Sequence, residues 1–167
     1  MTDNLYSVMT SRLVTVLAAG LTQYTGLVVD RRRFHPENLP AFTGNYMIIV
    51  SPSSRPWGER IVSVRTIQDT LRCDLFLLVK NFHTDNSLFG LTTPDFGIFQ
   101  MIEDMKALLR VNTLSSLLDM TYEEVTSEVD FEDLAIKAHD TGEYTWIHRA
   151  RQPYIGRMRQ LCHPTAV

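Results

Sequence analysis

The sequence predicts an α+β domain, and three observations carry that expectation. Apolar residues recur at helical spacing between Asn4 and Gly20, several apolar runs of strand length follow, and residues 93–109 combine helix-start chemistry with an apolar stripe. The chain has 167 residues, of which 44% are hydrophobic and 21% charged, the balance of a globular protein able to bury a core as one domain spanning residues 1–167.

In the first segment Leu5, Val8, Met9, Leu13, Val16 and Leu17 fall three or four residues apart, which predicts a helix with one buried stripe. The apolar run from Leu13 to Leu21 resembles a secretion signal, but Asp3 stands where a basic n-region belongs, so we read it as that helix. Leu27, Val28 and Val29 form a short β-branched run that ends at Asp30, Arg31, Arg32 and Arg33, a first strand. A loop from His35 to Gly44 leads to an apolar strand, Tyr46 to Val50, which the segment SPSSRPWG, with two prolines and a glycine, is expected to stop. Ile61 to Ile67 and Leu71 to Phe82, separated by the polar step Gln68 and Asp69, predict a long antiparallel pair.

After a loop from Asp85 to Thr92, Thr93 reads as an N-cap, Pro94 as the first helical residue and Asp95 as first-turn acid. Phe99, Ile102, Met105, Leu108 and Leu109 then form the buried face of a central helix. Thr113 to Met120 reads as one or two further helical turns, and Tyr122 to Phe131 as strand rather than helix. Tyr144 to Met158 closes the pattern, with Pro153 expected to make any strand there an edge or to end it.

The net charge of −3 gives no overall positive field to draw the protein onto nucleic acid, so any such contact must be local. No run reaches the roughly 18 apolar residues of a membrane span. Cys73 and Cys162 are far apart, with no zinc or redox spacing, and Cys73 among Leu71, Leu75 and Leu77 reads as a small buried hydrophobe. There is no GxxxxGK[ST] to cradle phosphates and no GxGxxG for a dinucleotide. His35, His83, His139, His148 and His163 are scattered without metal-ligand spacing and read as surface or loop residues. His83 with Asp85, and His139 with Asp140, have no serine or cysteine elbow to activate. Glu103 with Asp104, and Glu123 with Glu124, read as solvated neighbours rather than acid/base pairs. We therefore expect no catalytic, cofactor or metal site.

Charge and one aromatic carry what remains. Seven acidic residues lie between Asp119 and Asp133, Glu128, Asp130 and Glu132 among them, while Arg149, Arg151, Arg157 and Arg159 lie near the C-terminus. Two readings are open: cross-strand pairs within one sheet, or the acidic face of one subunit against the basic face of the next. Trp57, a large apolar group among turn residues, is a candidate interface anchor or a side chain folded over the core. Arg31, Arg32 and Arg33 have no interleaved aromatics, so they read as a solvated edge, with phosphate contact as the sharper alternative.

Several segments taken together, YMIIV from Tyr46, RIVSVRTI, LRCDLFLLV, the helix MIEDMKALLRVN with TLSSLL behind it, and SEVDFEDLAI, give a chain that resembles the tail terminator proteins of long-tailed bacteriophages. Related head-to-tail neck and tail completion proteins share these features. The resemblance implies a mixed, mostly antiparallel sheet flanked by an N-terminal helix and a central capped helix. It also implies a virion protein, assembled in the host cytoplasm, whose hexameric ring caps the head-proximal end of the tail tube, halts tube growth and docks the neck. Its partners would be its own copies, the tube protein and the neck or connector protein, with no cofactor, membrane or catalysis. On that view Trp57, Glu128, Asp130, Glu132, Arg149, Arg151, Arg157 and Arg159 are candidate interface residues, and Arg31 to Arg33 candidates to face passing DNA in a channel. The alternatives are a monomeric adaptor that binds through Trp57 and the Arg-rich tail, and a small enzyme assembled from His83, Asp85 and His139.

Overall fold

The helical spacing from Leu5 onward is realised as a helix. In the computed structural model, which describes residues 4–35, 44–62, 66–81, 89, 96–114, 117, 130–137 and 144–161, α1 spans Leu5–Gly20. Asn4 caps it: its side-chain oxygen accepts the amide of Tyr6 at 3.0 Å, pairing a donor that the first turn leaves without a partner. Met9, Leu13 and Leu17 form the buried stripe.

From Leu21 the chain tightens through two turns, Tyr24 N–H to Leu21 C=O and Leu27 N–H to Tyr24 C=O, into β1, Val28–Arg31. Gly26 sits in this connection at φ +75, where a side chain would be strained. Gly44, just before β2, lies so close to Gly26 that a Cβ there would overlap the Gly26 carbonyl oxygen. The two glycines thus let the entrances of β1 and β2 touch, and the strands pair in parallel from Val28↔Met47 to Arg31↔Val50.

The remaining strands are β2, Tyr46–Val62, β3, Thr66–Asn81, β4, Asp130–Lys137, and β5, Tyr144–Leu161. They form one mixed sheet in the order β1-β2-β3-β5-β4, with every pairing but β1·β2 antiparallel. The second described helix, α2, spans Ile98–Arg110. The α+β class and the mixed, mostly antiparallel sheet are therefore as expected.

Both helices pack on the same sheet face. Met9, Leu13 and Leu17 of α1 and Met101, Met105 and Leu109 of α2 share one apolar cluster with Ile48 and Val50 of β2, Leu71 to Val79 at alternate positions of β3, and Ala150 and Tyr154 of β5. At ~1.5–3 kcal/mol for each large aliphatic taken fully from water, this layer dominates the stabilisation. Tyr46 ties the start of α2 to the sheet, its hydroxyl donating to the Phe96 carbonyl and accepting the Phe96 amide. Buried Tyr24 packs between Tyr46 and Phe96, and its hydroxyl donates to Asp104 at 2.8 Å. The opposite sheet face holds a smaller cluster of Met47, Ile49, Leu78 and Ile147, flanked by Phe34 stacked on Phe76 at 4.0 Å.

Four boundaries differ from expectation. The segment SPSSRPWG does not stop β2. Pairing jumps from Pro52↔Cys73 to Trp57↔Leu71, so β2 advances five positions while β3 moves two, and the strand resumes beyond a bulge. The prolines are tolerated because β1 pairs only as far as Val50, so the outer edge of β2 needs no further donors. Gln68 and Asp69 are likewise no break: both lie inside β3, and the two strands part between Val62 and Thr66. Pro153 neither ends β5 nor lies in an edge strand, since β5 runs between β3 and β4. It follows the last β4 partner, Arg151, and pairs with Asp74 on one side only, so the proline rule holds locally. The α2 N-cap is Gly97, making no side-chain cap bond, instead of Thr93, which lies with Pro94 and Asp95 outside the described residues. Phe99 also lies off the buried face: it is 41% exposed and meets Phe89 at 5.6 Å, while Ile98 and Met101 take the core positions. The expected strand near Tyr122 to Phe131 is described from Asp130 on, as β4, and of Thr113 to Met120 only Thr113, Leu114 and Leu117 are described, the two leucines in turns.

Candidate functional site

Past Val50 on one side and Arg151 on the other, β2, β3 and β5 continue without the flanking strands, so the sheet narrows from five strands to a three-stranded arm. The arm pairs Trp57 to Val62 with Leu71 to Ile67, and Leu71 to Thr66 with Gly156 to Leu161. Two of its features are unusual for an isolated protein. Both long edges are open among the described residues, and three large apolar side chains are in water: Trp57 at 55%, Ile61 at 53% and Val62 at 65% exposure. The register sets Trp57 and Val62 on one face of the arm and Ile61 on the other, and open edges and exposed large apolar groups are what monomeric proteins usually cover or blunt.

The root of the arm is fixed by α1. Tyr6 donates its hydroxyl to the Arg72 carbonyl at 3.2 Å, and its ring lies 6.2 Å from that of Trp57. Burial, with help from the nearby Cys73 and Asp74, pushes the Tyr6 phenol up to about 12. Further out, Arg60 grips Asp69 across β2 and β3 with Nε at 2.7 Å and Nη2 at 3.2 Å. This two-pronged pair holds the bulged strand to its neighbour without covering Ile61 or Val62.

The other candidate interface residues fall differently. The register sets Asp130 opposite Arg151 and Glu132 opposite Arg149, the arrangement that cross-strand pairing within one sheet requires. Arg151 also reaches Asp74 at 3.1 Å, and the Arg149 guanidinium lies over the Phe34 and Phe76 rings at 5.2 and 5.8 Å. These two arginines are thus engaged within their own chain. Arg157 and Arg159 pair in register with Thr70 and Gln68, on the arm, and Glu128 lies outside the described residues.

Arg31, Arg32 and Arg33 gather at the end of β1 beside the first turns of α1. Arg31 Nη1 donates to the Ser7 carbonyl at 3.0 Å and the Ser7 hydroxyl at 3.1 Å, and Arg32 Nε donates to Asp30 at 2.6 Å. Arg33 is exposed.

His148 corrects the expectation of surface histidines: it lies in β5 on the helix-covered face at 1% exposure. The signal for it is that His148 alternates with Ala150 and Tyr154, which share its face of β5. His35 is exposed, while His83, Asp85, His139, Asp140 and His163 lie outside the described residues. Cys73 is buried, and burial raises its thiol far above the usual range, with Asp74 adding to the effect. Asp104 accepts from Tyr24, Gln23 and Gln100, and Glu103 is exposed beside Lys106. Among the described residues no three His, Cys, Asp or Glu side chains are grouped to hold a metal ion, and no described helix is long and apolar enough to cross a membrane.

The fold and arm define a mixed-sheet α+β protein with an uncovered sheet extension. No protein-family model matches the chain, and no curated protein matches it.

Proposed function

We propose that this chain is a structural subunit that assembles with copies of itself into a ring. The ring is of the kind that the tail-terminator resemblance implies: hexameric, capping the head-proximal end of a phage tail tube, stopping its growth and joining it to the neck, without catalysis of its own. The observation that supports assembly is the arm, with its open edges and its exposed Trp57, Ile61 and Val62. Burying Trp57 and Val62, which share one face of the arm, or Ile61 on the other, against a neighbouring copy is favourable, at ~25 cal/mol per Å² of apolar surface removed from water. Arg157 and Arg159, on the same arm, are candidates to meet acidic groups of that neighbour. In such a ring the tube protein and the neck protein would bind above and below, and the Arg31 to Arg33 end of β1 is our candidate for the channel side.

Light scattering across a concentration series, with and without tube protein, tests this. A ring mass is expected for the native chain, alone or on addition of the tube protein. The Ile61→Asp/Val62→Asp double variant should remain a monomer with an unchanged circular-dichroism spectrum. A native chain that stays monomeric under both conditions sinks the ring and leaves an adaptor that binds a different protein through Trp57.

A further inference from the structure

The end of β1 and the first turns of α1 enclose an open cleft of about 230 Å³. Ser7 and Thr10 line it from the helix, and Arg31, Arg32 and Arg33 from the strand end. At ~30 Å³ per water, the space suits a small hydrated anion rather than a drug-sized ligand. Among the described residues its charge is not balanced locally. Asp30 pairs with Arg32 and accepts the Arg31 backbone amide at 2.7 Å, but the acceptors of the Arg31 guanidinium are all neutral: the Ser7 carbonyl, the Ser7 hydroxyl and, at 3.5 Å, the Thr10 hydroxyl. Arg33 makes no hydrogen bond or ion pair among the described residues.

The way Arg31 is held matters more than the count of charges. Nη1 makes all three bonds, so the guanidinium is fixed in place while Nε and Nη2 make none among the described residues. That edge is the parallel pair of donors that Arg32 offers Asp30 and Arg60 offers Asp69, and it matches two oxygens of a carboxylate or phosphate. The first turn of α1 carries no acidic residue, so nothing there offsets the positive end of the helix.

We propose that this cleft is a binding site for a phosphate-type oxyanion, taken by the open edge of Arg31 and by Arg33. The site is contained within a single chain, so it does not depend on the assembly proposed above.

The test is a titration of the dilute chain in phosphate-free buffer with inorganic phosphate and, separately, with a short DNA duplex. Amide NMR shifts report on residues 5–10 and 31–33, and fluorescence anisotropy reports on the duplex. Saturable shifts confined to those residues are expected, with affinity reduced about tenfold or more by Arg31→Gln. Arg33→Gln should also weaken binding while leaving the thermal midpoint unchanged, which separates ligand contact from any effect on folding. Saturation by inorganic phosphate would define a free-anion site. Saturation by the duplex alone, with the same losses in both variants, would define a site for backbone phosphate. No shift with either probe, or shifts that survive both substitutions, would overturn the proposal.

Discussion

The five-stranded body and the three-stranded arm are built from the same β2, β3 and β5, yet the two regions answer to different physics. In the body, Leu75 and Leu77 lie under α1 and α2 with neighbours on every side, and each side chain is fully buried. In the arm the β3·β5 ladder continues from Thr66↔Leu161 inward without a break, but Ile61 and Val62 of β2 remain mostly in water. Backbone pairing can therefore extend a sheet well past the core that supports it. What it cannot do is cover the side chains, and these are left for another surface.

The contrast can be broken most sharply by truncating one residue from each region. Leu77→Ala should destabilise the chain by about 2–5 kcal/mol through lost burial and a cavity. Val62→Ala should change it by less than about 0.5 kcal/mol. Urea unfolding of the monomer measures both, and a large loss for Val62→Ala would mean that the arm is covered within its own chain. An intermediate effect is expected at the glycine contact that brings β1 to β2. Gly44→Ala, whose methyl would press on the Gly26 carbonyl, should cost about 1–3 kcal/mol. A neutral result in the same unfolding experiment would show that the two strand entrances part without penalty.

A pH-dependent effect sharpens the boundary between body and arm. Tyr6 joins them, and its phenol titrates near 12 in the folded chain against an ordinary 10. The native state thus favours the protonated form. This contribution is complete below pH 10 and is lost as pH rises through 12. Stability measured across that alkaline window should fall less steeply in Tyr6→Phe than in the native chain. Equal slopes would remove Tyr6 from the joint.

Much of the body was legible because its signals are periodic. The three-and-four spacing of Leu5 to Leu17 gives α1, and the alternation of Leu71, Cys73, Leu75, Leu77 and Val79 gives the central strand together with its buried face. The arm was hidden by the residues that make it. Pro52, Pro56 and Gly58 punctuate the sequence as a turn would, and only the tertiary fact that β1 stops at Val50 makes them acceptable inside a strand. Pro153 misleads for the same reason at the other edge. Apolar spacing places Phe99 in the core because it fixes which residues share a face, but packing on the sheet decides which of two adjacent stripes turns inward, and it takes Ile98, Met101 and Met105. Trp57 was singled out from sequence, whereas its companions Ile61 and Val62 passed for ordinary strand residues. The Arg31 to Arg33 run was visible as charge. That Ser7 and Thr10 would hold one of its guanidiniums came from a contact between helix and strand that no local pattern contains.

The placement of β5 between β3 and β4 sets an order of events. Thr66 finds its partner at Leu161 and Asn81 at Trp146, so the middle of the sheet stays open until a distant stretch of chain has been synthesised and threaded into place. Such non-local pairing is slow compared with hairpin closure. While the β2–β3 hairpin waits, the arm lacks its third strand and β4 has nothing to join. The surface that we propose joins copies is therefore finished last, and until β5 arrives the unpaired edge of β3 is one more open edge.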